Sequence, residues 1–147
     1  IESAPTAEET ISGPSEYEVM RTNSIAKKNR AIQTKLEKVI SYTKQTMVAY
    51  MSEEDLNRLC TYVAEYSSGD TLQKISPVKV DSQLKSIDIM HFGWNIGKAF
   101  SKKRIHTATF IKNVFAHTLR DLEISTIERK MSHTESACYI KLKKEIT

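Results

Sequence analysis

The sequence predicts a mainly α protein: a hairpin of two helices, then a unit of three shorter helices, with room for a short β element at the C-terminus. Three observations predict it. Only four Gly and three Pro occur in 147 residues, and two of the prolines, Pro5 and Pro14, lie at the N-terminal end. So few breakers leave long stretches free to be helical. Apolar residues recur at steps of three, four and seven through most of the chain, the period of a helix with one buried stripe. Hydrophobic content of 39% with 27% charged residues is the balance of a globular chain. The length suits one ordinary domain, or two small helical subdomains.

Residues 1–17, "IESAPTAEETISGPSEY", are rich in Ser, Thr, Glu and Pro and carry no helical period, so they read as a flexible acidic tail or linker. Residues 18–70 read as the helical hairpin. Its first helix runs over 22–51, where Ile25, Ile32, Leu36, Val39, Ile40, Met47, Val48 and Met51 make one stripe, with Asn23 or Ser24 as the cap. The second follows in "MSEEDLNRLCTYVAEYSSGD". Ser52 caps it, Glu53, Glu54 and Asp55 suit the positive end of its dipole, and Leu56, Leu59, Cys60 and Val63 form its buried face. Gly69 stops it.

Residues 71–147 read as a basic helical subdomain that can pack with 18–70 as one domain. Pro77 forbids a helix through the connector "DTLQKISPVKVD", in which "VKV" suits a short extended piece. Residues 82–101 predict a third helix, capped by Asp81 or Ser82, with Leu84, Ile87, Ile89, Met90, Trp94, Ile96 and Phe100 inward. Gly93 and Gly97 stack on one side of it. Each costs about 1 kcal/mol against Ala in a helix, a cost best offset by another helix crossing closely there. Residues 107–119 predict a fourth helix, capped by Thr107, with Phe110, Ile111, Val114, Phe115 and Leu119 inward. After the turn "RDLEI", a fifth helix capped by Ser125 covers 125–133. In "ACYIKLKKEI", Tyr139, Lys141 and Lys143 alternate with Ile140 and Leu142, which predicts a strand.

Charge is spread unevenly. Residues 1–18 hold five acids and no Lys or Arg, residues 19–70 eight basic and six acidic residues, and residues 71–147 fourteen basic and seven acidic. The positive field therefore sits in the second half, and a polyanion such as nucleic acid is its natural partner. No apolar run approaches the ~18 residues of a membrane span, so no membrane partner is expected. Cys60 and Cys138 are far apart and unpatterned, which reads as two buried thiols in a reducing cytoplasm. The chain opens on Ile rather than Met and is expected to be cut from something longer.

The stretch "DLEISTIERKM", Asp121–Met131, concentrates the functional question. A capping Ser or Thr precedes an Ile and then basic residues, a core-facing helix stands before it, and Leu122 and Ile124 anchor the turn. "STIERKM" resembles the opening of recognition helices in helix-turn-helix and winged-helix DNA-binding domains, over residues 104–142. The turn lacks the Gly that such turns often contain, and Asp121, Glu123 and Glu128 add negative charge. The resemblance implies double-stranded DNA as partner, with Thr126 and Arg129 at base edges. Lys102, Lys103, Arg104, Lys130, Lys141, Lys143 and Lys144 would neutralise phosphate, with Lys141 and Lys143 on "CYIKLK" as one arm of a wing.

Catalytic chemistry finds no motif. His91, His106, His117 and His133 show no H-x-x-x-H or H-E-x-x-H spacing, and no CxxC, glycine-rich phosphate loop or G-x-S-x-G occurs. Asp88 with His91, and His117 with Asp121, read as local hydrogen-bonded pairs. No catalytic residue, cofactor or metal is expected. The expected function is a non-catalytic, cytoplasmic DNA-binding protein, a transcriptional regulator or mobile-element accessory factor, which forms a homodimer through the 22–51 helix. The alternative is a helical scaffold for protein partners with no nucleic-acid role.

Overall fold

A computed structural model describes residues 13–69 and 74–146. Among these the chain is mainly helical, with five α-helices: α1 (Glu16–Met47), α2 (Glu53–Ser68), α3 (Ser86–Ala99), α4 (Arg104–Val114) and α5 (Ile124–Lys130). One 3-10 turn, Val48–Tyr50, joins α1 to α2. No described helix is long and apolar enough to cross a membrane. Of the acidic tail, residues 1–12 lie outside the described residues, while Glu16 and Tyr17 belong to α1. The helix begins earlier than its apolar stripe because the Ser15 side chain caps it. The Glu18 amide donates to Ser15 Oγ at 3.1 Å, and that hydroxyl donates back to Glu18 Oε1 at 3.2 Å.

The chain divides into two compact units, residues 1–34 and 35–147, so the division falls inside α1. In the first unit every described residue except the half-buried Ala26 is exposed, including Tyr17, Val19, Met20, Ile25 and Ile32.

The second unit holds the core. Val39, Tyr42, Thr43 and Met47 are the buried residues of α1. Tyr42 stacks on Phe92 of α3, centroids 5.9 Å apart, and accepts a hydrogen bond from Asn95 Nδ2 at 2.8 Å. The second hairpin helix follows its sequence signals. The Asp55 amide donates to Ser52 Oγ, Leu56, Leu59, Tyr62, Val63 and Tyr66 are buried, and Gly69 closes the helix at φ 83°. That left-handed value favours glycine. Tyr66 stacks on Phe110 of α4 at 4.2 Å, and its hydroxyl lies 2.6 Å from Thr107 Oγ1. Burial pushes the Tyr42 and Tyr66 phenols above their ordinary range, against the lowering effect of those hydrogen bonds.

The connector ahead of α3 is irregular from Lys74 to Lys85 but well tied. Val78 is buried and its amide donates to Val114 O, while Tyr62 Oη accepts from the Ser76 amide. Asp81 does not cap α3. Its carboxylate accepts from the Gln83 amide in a turn, and Asp88 receives the Lys85 amide at the helix start instead.

The two glycines of α3 mark a close helix crossing, as their spacing predicts. A Cβ on Gly93 would lie 2.8 Å from Ile111 Cδ1 and Cγ2, and one on Gly97 would overlap the Thr107 side chain. α4 therefore packs against the bare face of α3, and α5 packs in turn on α4. Thr107 is not a cap; it is buried inside the first turn of α4. Phe110, Ile111, Val114, Phe115 and Leu119 are all buried, as the helical period requires.

The predicted C-terminal strand is absent, since no strand occurs among the described residues. The alternation itself is real. Ile140 is buried and Leu142 half-buried, whereas Tyr139, Lys141 and Lys143 face solvent. What the segment lacks is a partner strand, and α3 supplies side chains in its place. Asp88 Oδ1 accepts from the amides of Tyr139 (2.6 Å) and Ile140 (3.0 Å). Asn95 donates to Lys141 O and accepts from the Lys143 amide, both at 2.8 Å. His91 sets Nδ1 2.8 Å from Ile140 O and Nε2 2.7 Å from His133 O. A ring protonated on both nitrogens donates to both carbonyls; a neutral ring donates to one. The winged-helix arm expected at 138–143 is thus a strap laid along α3.

Gly97→Ala tests the crossing. Helix propensity alone would make it stabilising by about 1 kcal/mol. Displacing the buried, hydrogen-bonded Thr107 costs about 1–3 kcal/mol. A net loss of stability in urea unfolding is therefore expected, and the pairing with Thr107→Ala should recover part of it.

Candidate nucleic-acid interface

The candidate interface is built by α4, the turn after it, and α5. α4 ends at Val114 and the chain continues through turns to Glu123, closer to a long loop than to the short turn the sequence predicts. No glycine shapes it. Lys112 does, by placing Nζ 2.8 Å from Leu119 O, 3.2 Å from Arg120 O and 2.6 Å from Leu122 O. One ammonium with three protons satisfies three turn carbonyls. Leu122 and Ile124 pack on the core as the anchors their positions predict.

α5 is shorter than the predicted 125–133 helix. It starts at Ile124, and Ser125 is not its cap; the N-cap position is Glu123, with no side-chain hydrogen bond. Ile127 and Met131 are buried beneath it, as predicted. The sequence-predicted site residues on it separate by burial. Arg129 and Lys130 are exposed, and Thr126 is half-buried.

The other predicted phosphate contacts hold varied positions. Lys103 is exposed at the N-cap of α4. Lys102 is half-buried, with Nζ 5.3 Å from the Tyr66 ring centroid. Lys141 and Lys143 are exposed on the strap; Lys141 Nζ donates to Ser136 O, and Lys143 Nζ lies over the Tyr42 ring at 5.3 Å. Lys144 is exposed beside them.

Arg104 has a structural engagement. Its guanidinium lies 4.9 Å from the Trp94 ring centroid and donates to Glu128 O and to Ser132 Oγ. It therefore clamps the end of α5 to the start of α4 and to α3. The Trp94 indole is half-buried rather than core, and the guanidinium covers part of its face.

Sequence reasoning missed Lys112, Lys98 and the triad Asp88, His91 and Asn95. Asp88 and His91 do share a helix face, but each bonds the strap and neither bonds the other. A signal for Lys112 existed in the turn: carbonyls with no glycine or capping side chain nearby need a donor from elsewhere. Among the described residues no group of three or more His, Cys, Asp or Glu could hold a metal ion. Cys60 is half-buried and Cys138 buried, both as free thiols, and burial pushes the Cys60 thiol up despite the nearby Lys44 charge. Comparison with protein-family models, with curated proteins and with solved structures finds no match to this chain.

Lys112→Met keeps the stem and removes the donor. It should destabilise the protein by about 1–3 kcal/mol, the cost of orphaned carbonyls. Amide hydrogen exchange should rise first in residues 115–124, ahead of the rest of α4; unchanged exchange there would remove Lys112 from the account of the turn.

Proposed function

We propose that this chain is a non-catalytic, cytoplasmic protein that binds double-stranded DNA through its basic half, with α5 set against the major groove. The observation that carries the reading is the arrangement of α3, α4 and α5. α5 is held from beneath by Ile127 and Met131 and clamped at its end by Arg104, while Arg129 and Lys130 remain in solvent. A helix packed on one face and carrying cations on the other suits docking in a groove, with Thr126 near its N-terminal end and Arg129 and Lys130 in its last turn. Lys103, Lys141, Lys143 and Lys144, all exposed, supply further phosphate attraction. A transcriptional regulator or mobile-element accessory factor is the role that such binding would serve.

Duplex binding measured by anisotropy against NaCl concentration tests this. Affinity should fall linearly on logarithmic axes with a slope of about −0.9 per neutralised phosphate. Arg129→Glu should weaken binding by roughly tenfold or more, whereas Lys35→Glu, an exposed cation on α1, should change it little. Equal effects of the two reversals would remove α5 from the mechanism.

A second reading rests on the first unit. Ile25 and Ile32 stand seven residues apart on α1 and are 42% and 56% exposed, a spacing that stacks them on one face for a partner helix. This favours a scaffold role, or a homodimer formed through α1. Sedimentation across a concentration range, repeated with Ile25→Lys and Ile32→Lys together, decides it. A monomer at all concentrations removes the homodimer, and a dimer unaffected by the two lysines moves it off this face.

A further inference from the structure

Beside α5 the second unit has an open cavity of about 290 Å³, lined by Trp94, Gly97, Lys98, Ser101, Lys102, Arg104, Thr107 and Met131. Three of its lining residues are cations and none is acidic. Among the described residues, neither Lys98, Lys102 nor Arg104 forms an ion pair with a carboxylate. Lys98 is exposed; among the described residues its Nζ makes no hydrogen bond and Lys102 Nζ lies over the Tyr66 ring; Arg104 donates to a carbonyl and a hydroxyl, neutral acceptors that leave its charge uncompensated. Like charges gathered around a concave wall raise the local concentration of anions.

The backbone arranges this convergence. Gly97 lets the start of α4 approach α3 closely, which sets Lys98 and the 101–104 segment on one rim. Ser101 turns the chain there at φ 56°, a left-handed value costly for any residue but glycine. Ser101 belongs to the cavity lining and is exposed, so its hydroxyl is a donor within reach of an anion seated there.

We infer that this cavity is a seat for one phosphate group, held by Lys98 and Lys102 with the Ser101 hydroxyl, and floored by the Arg104 charge on Trp94. Inorganic phosphate and a backbone phosphate of nucleic acid share the chemistry that would be recognised. The backbone phosphate is the intended occupant, and that choice of source rests on the duplex reading above. Through Arg104, whose guanidinium also grips Glu128 O and Ser132 Oγ, an occupied seat adjoins the end of α5.

Trp94 is the single tryptophan of the chain, so its emission reports on the cavity directly. The full chain is titrated with inorganic phosphate at constant ionic strength, with chloride as the control, and separately with a duplex followed by both anisotropy and Trp94 emission. A saturable emission change with phosphate but not chloride, lost in Lys98→Glu and in Lys98→Gln/Lys102→Gln, supports the seat. For the duplex, the double variant should lower the salt slope by about 1. If phosphate titrates Trp94 but no duplex binds, the seat stands and the duplex reading fails. If the duplex binds while Trp94 stays silent to both titrants and the double variant keeps the full slope, the seat is overturned and the duplex reading survives. Circular dichroism of each variant confirms the fold; Lys98 is exposed, so its reversal leaves the core intact.

Discussion

Asp88, His91 and Asn95 share one face of α3, and all three are buried. Buried polar groups are tolerable only when their hydrogen bonds are made, and leaving one orphaned costs about 1–3 kcal/mol. Here Asp88 and Asn95 are satisfied by main chain of residues 139–143, His91 sets its two ring nitrogens against the carbonyls of His133 and Ile140, and Asn95 also reaches the Tyr42 hydroxyl. The same three side chains thus join the C-terminal strap, α3 and the end of α1. Exposing any one of them uncovers polar atoms on several elements at once, so this network specifies the arrangement as well as stabilising it.

The opposite requirement governs the other side of α3. Gly93 and Gly97 present bare backbone, and α4 comes close enough for Ile111 and Thr107 to occupy the space a Cβ would fill. One helix therefore carries two kinds of contact, polar and directional towards the strap, steric and close towards α4. Tyr66 fastens α2 to the same place, through Thr107 Oγ1 and the Phe110 ring. The position of α5 follows from these constraints, because it rests on α4 and is clamped by Arg104 against Trp94.

What was legible in the sequence was whatever depends on local pattern. Ser52 and Gly69 bound α2 because capping chemistry acts within a few residues, and the buried stripe of α4 follows from helical period alone; α3 is buried on several sides, so its period marks Ile89, Met90 and Ile96 but leaves Ile87, Trp94 and Phe100 half-buried. The paired glycines of α3 carried a tertiary message because nothing local rewards them. What escaped were bonds across long separations in sequence. Nothing near Tyr139 says that its amide will meet Asp88, so alternation there predicted a strand. Arg104 sits in a run of cations that reads as a phosphate anchor, yet the acceptors it meets, Glu128 O and Ser132 Oγ, belong to the next helix. On α5 the exposed Arg129 and Lys130 were legible because burial of Ile127 and Met131 fixes which way the rest point.

The strap along α3 also sets a spacing rule. Seven residues of helix advance about 10.5 Å from Asp88 to Asn95, and extended chain covers roughly 3.3 Å per residue. Three extended steps, from Ile140 to Lys143, would span about the same length, and Ile140 and Lys143 do meet Asp88 and Asn95. A β-ladder can slide by two residues and pair again, since its donors and acceptors repeat. Carboxylate, imidazole and amide in that order do not repeat, so this edge has only one alignment. Lengthening of the chain is tolerable between His133 and Cys138, where exposed residues bridge the gap, but a single residue added between Ile140 and Lys143 would leave Tyr139 and Ile140 on Asp88 while carrying the Lys143 amide past Asn95.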